Sequence, residues 1–159
     1  MLLPRILTEV LANDVFLITI LISALAQSIK PFTYWVRTRE FAWRHMAEMG
    51  GMPSSHSAMV SGLATGIGLE NGFDSPFFAI ATILAVIVVY DAAGIRQQAG
   101  THAYVINRII AVLLSGHPIQ EHHLEEVLGH SRTEAFVGVL FGVGLMFLWE
   151  LGIQPWFVG

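Results

Sequence analysis

The sequence contains no cysteine and few charged residues, and each of these absences excludes a class of protein. Without cysteine there are no disulfide bonds, thiol nucleophiles or thiolate metal sites. Charged residues make up 13% of the chain, about half the share that is usual in soluble proteins. The net charge is −4 and no long basic run is present, which argues against nucleic acid as a partner. The N-terminus lacks the features of a cleaved signal peptide, so none is expected.

Apolar surface is what the chain has in abundance. Hydrophobic residues make up 54% of its 159 residues, and the mean hydropathy is +0.62. A soluble domain of this size would have to expose large apolar patches to water. The composition therefore predicts a single membrane domain that comprises residues 1–159.

The apolar runs predict an all-α integral membrane bundle of about four transmembrane helices plus interfacial helices. A spanning helix needs about 20 apolar residues, and four segments approach that length, roughly 14–30, 54–70, 77–95 and 134–151. Residues 1–13 and the segment 33–49, which is rich in arginine and aromatic residues, are expected to lie at the membrane surface. Residues 105–114 are too few to span and are expected to form an amphipathic or packed helix.

Small residues recur every four positions in two of these segments. Ala58, Gly62 and Gly66 form one series, and Gly138 and Gly142 form another. This spacing allows a second helix to approach closely. The same pattern would suit a helical scaffold or a small transporter, so that function remains an alternative, and association of the chain with itself remains open.

The distribution of basic residues predicts the orientation of the chain. Apart from Arg5, every Lys and Arg lies in the loops 30–54 and 96–132, and the turn 70–76 has none. Since basic loops stay on the cytoplasmic side, both loops are predicted to be cytoplasmic. The polar ends of three spans would then face the same side, which predicts one polar site on the cytoplasmic side of the membrane.

The segment 50–57 combines a bend, a helix cap and a titratable side chain. Two glycines and Pro53 predict a loop, and Ser54 or Ser55 would cap the helix that follows. The N-terminus of that helix suits an anion such as phosphate. His56, in its first turn, can exchange a proton near neutral pH. Taken alone, the segment also fits an ordinary capped helix.

Two further pairs of polar residues occur before and after this segment. Lys30 and Arg37 are separated by six residues, and Arg96 and His102 by five. Cations, helix N–H donors and two histidines are the groups that phosphoryl transfer requires. Read singly, Lys30 and Arg37 also fit interfacial anchors, and His102 fits a surface histidine.

The order of these residues resembles the phosphatidic acid phosphatase type 2 superfamily, whose signature is Lys-x6-Arg-Pro, then Pro-Ser-Gly-His, then Ser-Arg-x5-His-x3-Asp. The chain is most similar to the small divergent branch of that superfamily. The motif Met-Pro-Ser-Ser-His-Ser at 52–57 and the motif Asp-Ala-x-Gly-x-Arg at 91–96 carry this resemblance.

The resemblance implies metal-independent hydrolysis of a lipid or isoprenoid phosphate, with no cofactor. His102 would attack phosphorus and form a phosphohistidine, and His56 would protonate the leaving alcohol. The residues implied to bind the phosphate are Lys30, Arg37, Ser54, Ser55 and Arg96.

One departure from the signature affects the nucleophile. Ile106 occupies the position of the aspartate that would orient His102. Asp91 lies one to two helical turns before Arg96 and is the carboxylate best placed to substitute, although an ion pair between Asp91 and Arg96 explains it equally well. A membrane protein that binds a lipid phosphate without cleaving it is therefore the main alternative.

The polar segment 115–131 suggests a metal site, because it contains several histidines and glutamates. Their spacing matches no strong zinc pattern, so the segment is predicted to be a solvated acidic helix and no metal is expected. The residues concerned are His117, Glu121, His122, His123, Glu125 and Glu126.

Overall fold

A computed structural model of the protein describes residues 2–41, 43, 51–113 and 131–158. The helices are α1 (Leu2–Leu11), α2 (Asp14–Thr38), α3 (Ser55–Asn71), α4 (Pro76–Ala93), α5 (Ile95–Leu113), α6 (Arg132–Phe147) with a π-helical extension (Leu148–Ile153), and α7 (Pro155–Val158). The protein is thus an all-α membrane bundle, as predicted. Within the described ranges, three helices are long and apolar enough to cross a bilayer, namely Asp14–Thr38, Pro76–Ala93 and Arg132–Ile153.

Helix α3 lies at the centre of the bundle and packs against α2, α4 and α6. It has 17 residues, and most of its buried side chains are small or hydroxylated. Two of its hydroxyls are satisfied within the helix, since Ser61 donates to the Ser57 carbonyl (2.7 Å) and Thr65 donates to the Ser61 carbonyl (2.8 Å). Because other helices surround it, α3 does not need the continuous apolar surface of a helix that faces lipid.

Helices α3 and α6 run parallel and in close contact. A Cβ atom at Gly142 would collide with the carbonyl oxygen of Ala58, and one at Gly138 would lie 2.5 Å from the carbonyl oxygen of Ser54. The Ser61 hydroxyl also donates to the Val139 carbonyl on α6 (3.2 Å). The prediction that Gly138 and Gly142 form a helix-packing face is confirmed.

Helix α2 runs antiparallel to α3. The isoleucine side chain at position 22 lies 3.0 Å from the place where a Cβ on Gly62 would stand, and Val15 occupies the corresponding place beside Gly66. The central apolar cluster joins three helices and consists of Ile18, Ile22, Ala26, Ala58 and Met146.

Helix α2 is longer than the predicted span, which ended at residue 30. It continues through Pro31 to Thr38 and ends where Arg39 adopts a left-handed conformation (φ 63°). Proline removes one backbone donor but has a helical φ, and a membrane helix tolerates this where nearby side chains bond to the backbone. Close to the proline, the Thr33 hydroxyl donates to the Lys30 carbonyl (3.0 Å).

Helix α4 presents most of its apolar side chains outward. It starts at Pro76 after the N-cap Ser75, whose side chain accepts the Phe78 N–H. Ile80 and Ile83 are more than 60% exposed within the protein, as expected for a helix that faces lipid. The segment 105–114, predicted to be an amphipathic or packed helix, lies mostly within α5. The histidine-rich positions 117–126 lie outside the described residues.

Candidate functional site

One end of the bundle carries the motif residues. There α2 ends, α3 and α6 begin, and α4 ends at Ala93. We call this the motif end. It contains the loop 51–54, which connects to α3 and lies between α2 and α6.

The loop 51–54 is bonded to helices on both sides. The Thr33 hydroxyl on α2 donates to the Met52 carbonyl (2.6 Å), and the Ser54 N–H donates to the Glu134 carbonyl on α6 (3.1 Å). Gly51 has a φ of 93°, which favours glycine. These bonds fix the start of α3 relative to its two neighbours.

Ser54 is the N-cap of α3. Its side-chain oxygen accepts the Ser57 N–H (3.3 Å) and the Ser57 hydroxyl (3.1 Å), and both serines are completely buried. Of the two predicted caps, Ser54 is therefore the one used. Ser55, the next residue, is 7% exposed. The hydroxyl that the resemblance assigns to phosphate thus has a structural role in this arrangement.

The two predicted cations on α2 have different surroundings. Lys30 is 2% exposed, and its aliphatic stem packs beside Gly51, 3.7 Å from where a Cβ would stand. Arg37 is exposed in the last turn of α2, about 10 Å further along the axis at the usual helical rise. Lys30 is consequently the cation placed directly beside the loop.

The two predicted catalytic histidines are both exposed to the surroundings of the protein. His56 lies in the first turn of α3, and His102 lies on α5, which packs against α4. They belong to different helices, and the cooperation that the resemblance implies for them stays a prediction.

The orienting group for His102 also stays a prediction. Ile106 lies one helical turn beyond His102 and is likewise exposed, whereas Asn107 is buried. Asp91 is half-buried in the last turn of α4. Arg96 lies in the first turn of α5, and its side chain is outside the described part of the structure, as is its predicted ion pair with Asp91.

An apolar groove of about 920 Å³ opens beside the motif end. It runs between α4 and α6 and has α3 as its floor, with Arg132 among its lining residues. In the described portion of the chain, no group of three or more His, Asp or Glu side chains is arranged to bind a metal ion.

Three residues that position the motif end were absent from the predicted site. They are Thr33, Glu134 and Gly138, which contact the loop 51–54 or Ser54 directly. A sequence signal exists for one of them: Ser131 and Glu134 have the spacing of a capping box, and the structure contains both of its hydrogen bonds. Nothing in the sequence pairs Thr33 with Met52.

Comparisons with known proteins agree with the resemblance seen in the sequence. Residues 11–145 match the sequence profile of the Divergent PAP2 family. The chain is also 37% identical to the uncharacterized membrane protein YuiD of Bacillus subtilis (strain 168), over 146 residues that cover 85% of this chain and 92% of the relative. No solved structure matches this chain with comparable significance.

Proposed function

The chain belongs to the Divergent PAP2 family, and on that premise we propose that it is a metal-independent phosphatase of a lipid or isoprenoid phosphate. The observation that best supports this is the arrangement of the motif end. There Lys30, the loop 51–54 and the start of α3 are joined by direct contacts in the order of the family motif.

The chemistry requires positive charge near the phosphate oxygens and a proton for the leaving group. Lys30 and Arg37 on α2 and Arg96 on α5 would supply the charge, with the start of α3 adding N–H donors. A compact cluster of such groups stabilises the charge that develops in the transition state.

In the proposed reaction, an imidazole nitrogen of His102 forms a bond to phosphorus while the bond from phosphorus to the alcohol oxygen breaks. His56 gives its proton to that oxygen. Water then attacks phosphorus while the bond from phosphorus to the His102 nitrogen breaks; His56 takes up a proton from the water, and inorganic phosphate leaves. Asp91 is the proposed orienting carboxylate for His102.

The proposed site faces the cytoplasm. Lys30, Arg37, Arg96 and Arg132 belong to the basic segments 30–54 and 96–132, and basic segments at the ends of spans remain cytoplasmic. A substrate would therefore approach within the inner leaflet, with its headgroup at the cytoplasmic surface.

The proposal is tested by measuring phosphate release from phosphatidate and from polyprenyl pyrophosphates, with purified protein and excess chelator. We expect His102→Ala to reduce release to the uncatalysed level, because no covalent intermediate can form. We expect His56→Ala to reduce it about a hundredfold, the usual contribution of a general acid.

The matched control is His117→Ala, which changes a histidine outside the motif positions and should leave the rate unchanged. Activity that persists in both His102→Ala and His56→Ala would overturn the assigned roles. Activity that disappears when chelator is added would overturn the metal-independent mechanism.

A second candidate function is binding of a lipid phosphate without cleavage. The side chain one turn beyond His102 is the exposed Ile106, and the adjacent Asn107 is buried. A histidine without an orienting carboxylate lacks a fixed tautomer and support for its cationic form. This observation favours a protein that retains the anion site but not the nucleophile.

The two candidates differ in a measurable way. Under both candidate functions, phosphatidate should raise the melting temperature of the protein relative to phosphatidylcholine, because it binds only the folded state. A non-catalytic protein would release no phosphate, and Ile106→Asp would be the change that restores activity. Release of phosphate by the wild type rejects this second function.

A further inference from the structure

The groove between α4 and α6 runs along most of the bundle. On α4 its lining extends from Phe78 to Ala93, a length of about 22 Å at the helical rise. Its floor consists of Ser61, Ala64 and Thr65 on α3. Tyr90 and Val86 line it and are 74% and 63% exposed, so the groove is open to the bilayer at its side.

The two ends of the groove differ in chemistry. At the motif end it is lined by Gln98 and by Arg132, which is exposed at the first turn of α6. Arg132 is two residues before Glu134, whose carbonyl accepts the Ser54 N–H. A cation is therefore placed where the groove meets the motif loop.

The far end of the groove is lined by an aromatic pair. The rings of Phe73 and Phe78 meet edge to face with centroids 5.1 Å apart. Phe73 packs directly on Gly68, where a Cβ would lie 2.5 Å from the ring. The pair lines the groove at the end opposite Arg132, and we call it the end wall.

We propose that this groove binds one hydrocarbon chain of a membrane lipid whose phosphate headgroup contacts Arg132, and that Phe73 and Phe78 determine the longest chain that fits. The proposal rests on the proposed function for the identity of the headgroup. It adds Arg132, which is not part of the family motif, to the groups that bind the substrate.

The occupant follows from the surroundings of the groove. An apolar groove that opens into a bilayer is filled by hydrocarbon, and a cation at one end selects a chain with an anionic headgroup. Since the chain moves from lipid to protein and not from water, little hydrophobic energy is gained. Its fit in the groove, and hence its length, should determine selectivity.

The test is a binding measurement on the His102→Ala variant in detergent, so that turnover has no influence. The probes are farnesyl phosphate, geranylgeranyl phosphate and undecaprenyl phosphate. Their binding is measured by the quenching of tryptophan fluorescence. Ala85→Phe adds a ring inside the groove. We expect it to weaken the binding of geranylgeranyl phosphate about tenfold or more, because the added ring overpacks the site. Ala79→Phe places the same ring on an exposed position of α4 outside the groove and should have no effect.

A second pair of variants tests the ends of the groove. Phe73→Ala removes one ring of the end wall and should improve binding of the longest probe relative to the shortest. Arg132→Gln should weaken all three probes equally, by about tenfold to a hundredfold, because it removes a charge-assisted hydrogen bond. Arg5→Gln on α1 is the matched control and should change nothing.

Equal effects of Ala85→Phe and Ala79→Phe, or an unchanged ratio of longest-probe to shortest-probe affinity in Phe73→Ala, would overturn the groove proposal. These outcomes are independent of catalysis. A protein that releases no phosphate but shows the expected chain-length changes would refute the proposed hydrolysis and leave the groove assignment intact.

Discussion

The motif end of the bundle joins its helices through hydrogen bonds and carries basic side chains, whereas the opposite end carries a group of carboxylates. We call the opposite end the acidic end and define it by Asp14, Glu70 and Glu150. Val15 and Met146 both meet Gly66. Asp14 is the residue before Val15, and Glu70 and Glu150 lie one helical turn after Gly66 and Met146, respectively. The three acidic groups therefore occupy the same level of the bundle.

The two ends also differ in how their polar groups are satisfied. At the motif end, hydrogen bonds from Thr33 and Ser54 attach the loop 51–54 to α2 and α6. At the acidic end, Gln154 donates to Asp14 (3.0 Å), but Glu150 is 8% exposed and its Oε1 atom has no hydrogen-bond partner among the described residues. The loop at the motif end is thus held by hydrogen bonds to two helices, whereas the acidic end includes a buried carboxylate oxygen without such a bond among the described residues.

The sharpest test of this contrast changes one charge at each end. Lys30→Met removes the cation beside the loop and should lower phosphate release about a hundredfold, the usual effect of losing one group that stabilises the transition state. Glu70→Gln removes a charge at the acidic end and should leave the rate unchanged. Rates are compared at saturating substrate with equal amounts of folded protein.

Similar losses in both variants would contradict the assignment of function to the motif end. A melting curve for each variant separates lost activity from lost folding. Lys30 is almost completely buried, so this measurement is needed for Lys30→Met in particular.

A smaller effect is expected from glycines at the two ends. A Cβ at Gly138 would lie 2.5 Å from the Ser54 carbonyl oxygen, whereas one at Gly152 would meet nothing closer than 3.5 Å. Gly138→Ala should therefore destabilise the protein by about 1–3 kcal/mol through overpacking. Gly152→Ala, the matched control near the acidic end, should be neutral or slightly stabilising. Thermal unfolding in detergent measures both, and equal melting temperatures would show that the two helices separate easily at the motif end.

Much of the fold was predictable because membrane helices have strong local signals. The apolar runs that begin at Val15 and at Phe77 both appear as helices in the structure, and the second helix starts one residue earlier, at Pro76. The continuation of α2 past Pro31 was not predicted, since the usual rule ends a helix near proline. A proline inside a membrane helix is tolerated where the surrounding structure supplies other partners for the backbone, and this depends on tertiary packing.

The candidate site was predictable only in part. The motif located the start of α3 correctly, but sequence alone left Ser54 and Ser55 equivalent as caps. Glycine spacing indicated close packing without identifying partners, and the structure places Gly142 against Ala58 and Gly62 against Ile22. Such pairings depend on how helices are arranged, which no local pattern specifies.

The smallest expected effect concerns the acidic end itself. Glu150→Gln keeps the shape of the side chain and removes a buried charge that lies at the same level as Asp14 and Glu70. A buried carboxylate near like charges is costly, so the free energy of unfolding should rise by up to about 1 kcal/mol at neutral pH. Asp74→Asn, an exposed carboxylate in the turn before α4, is the control and should change stability little. A variant less stable than wild type at neutral pH would instead mean that the Glu150 charge is balanced, and the acidic end would then be as well satisfied as the motif end.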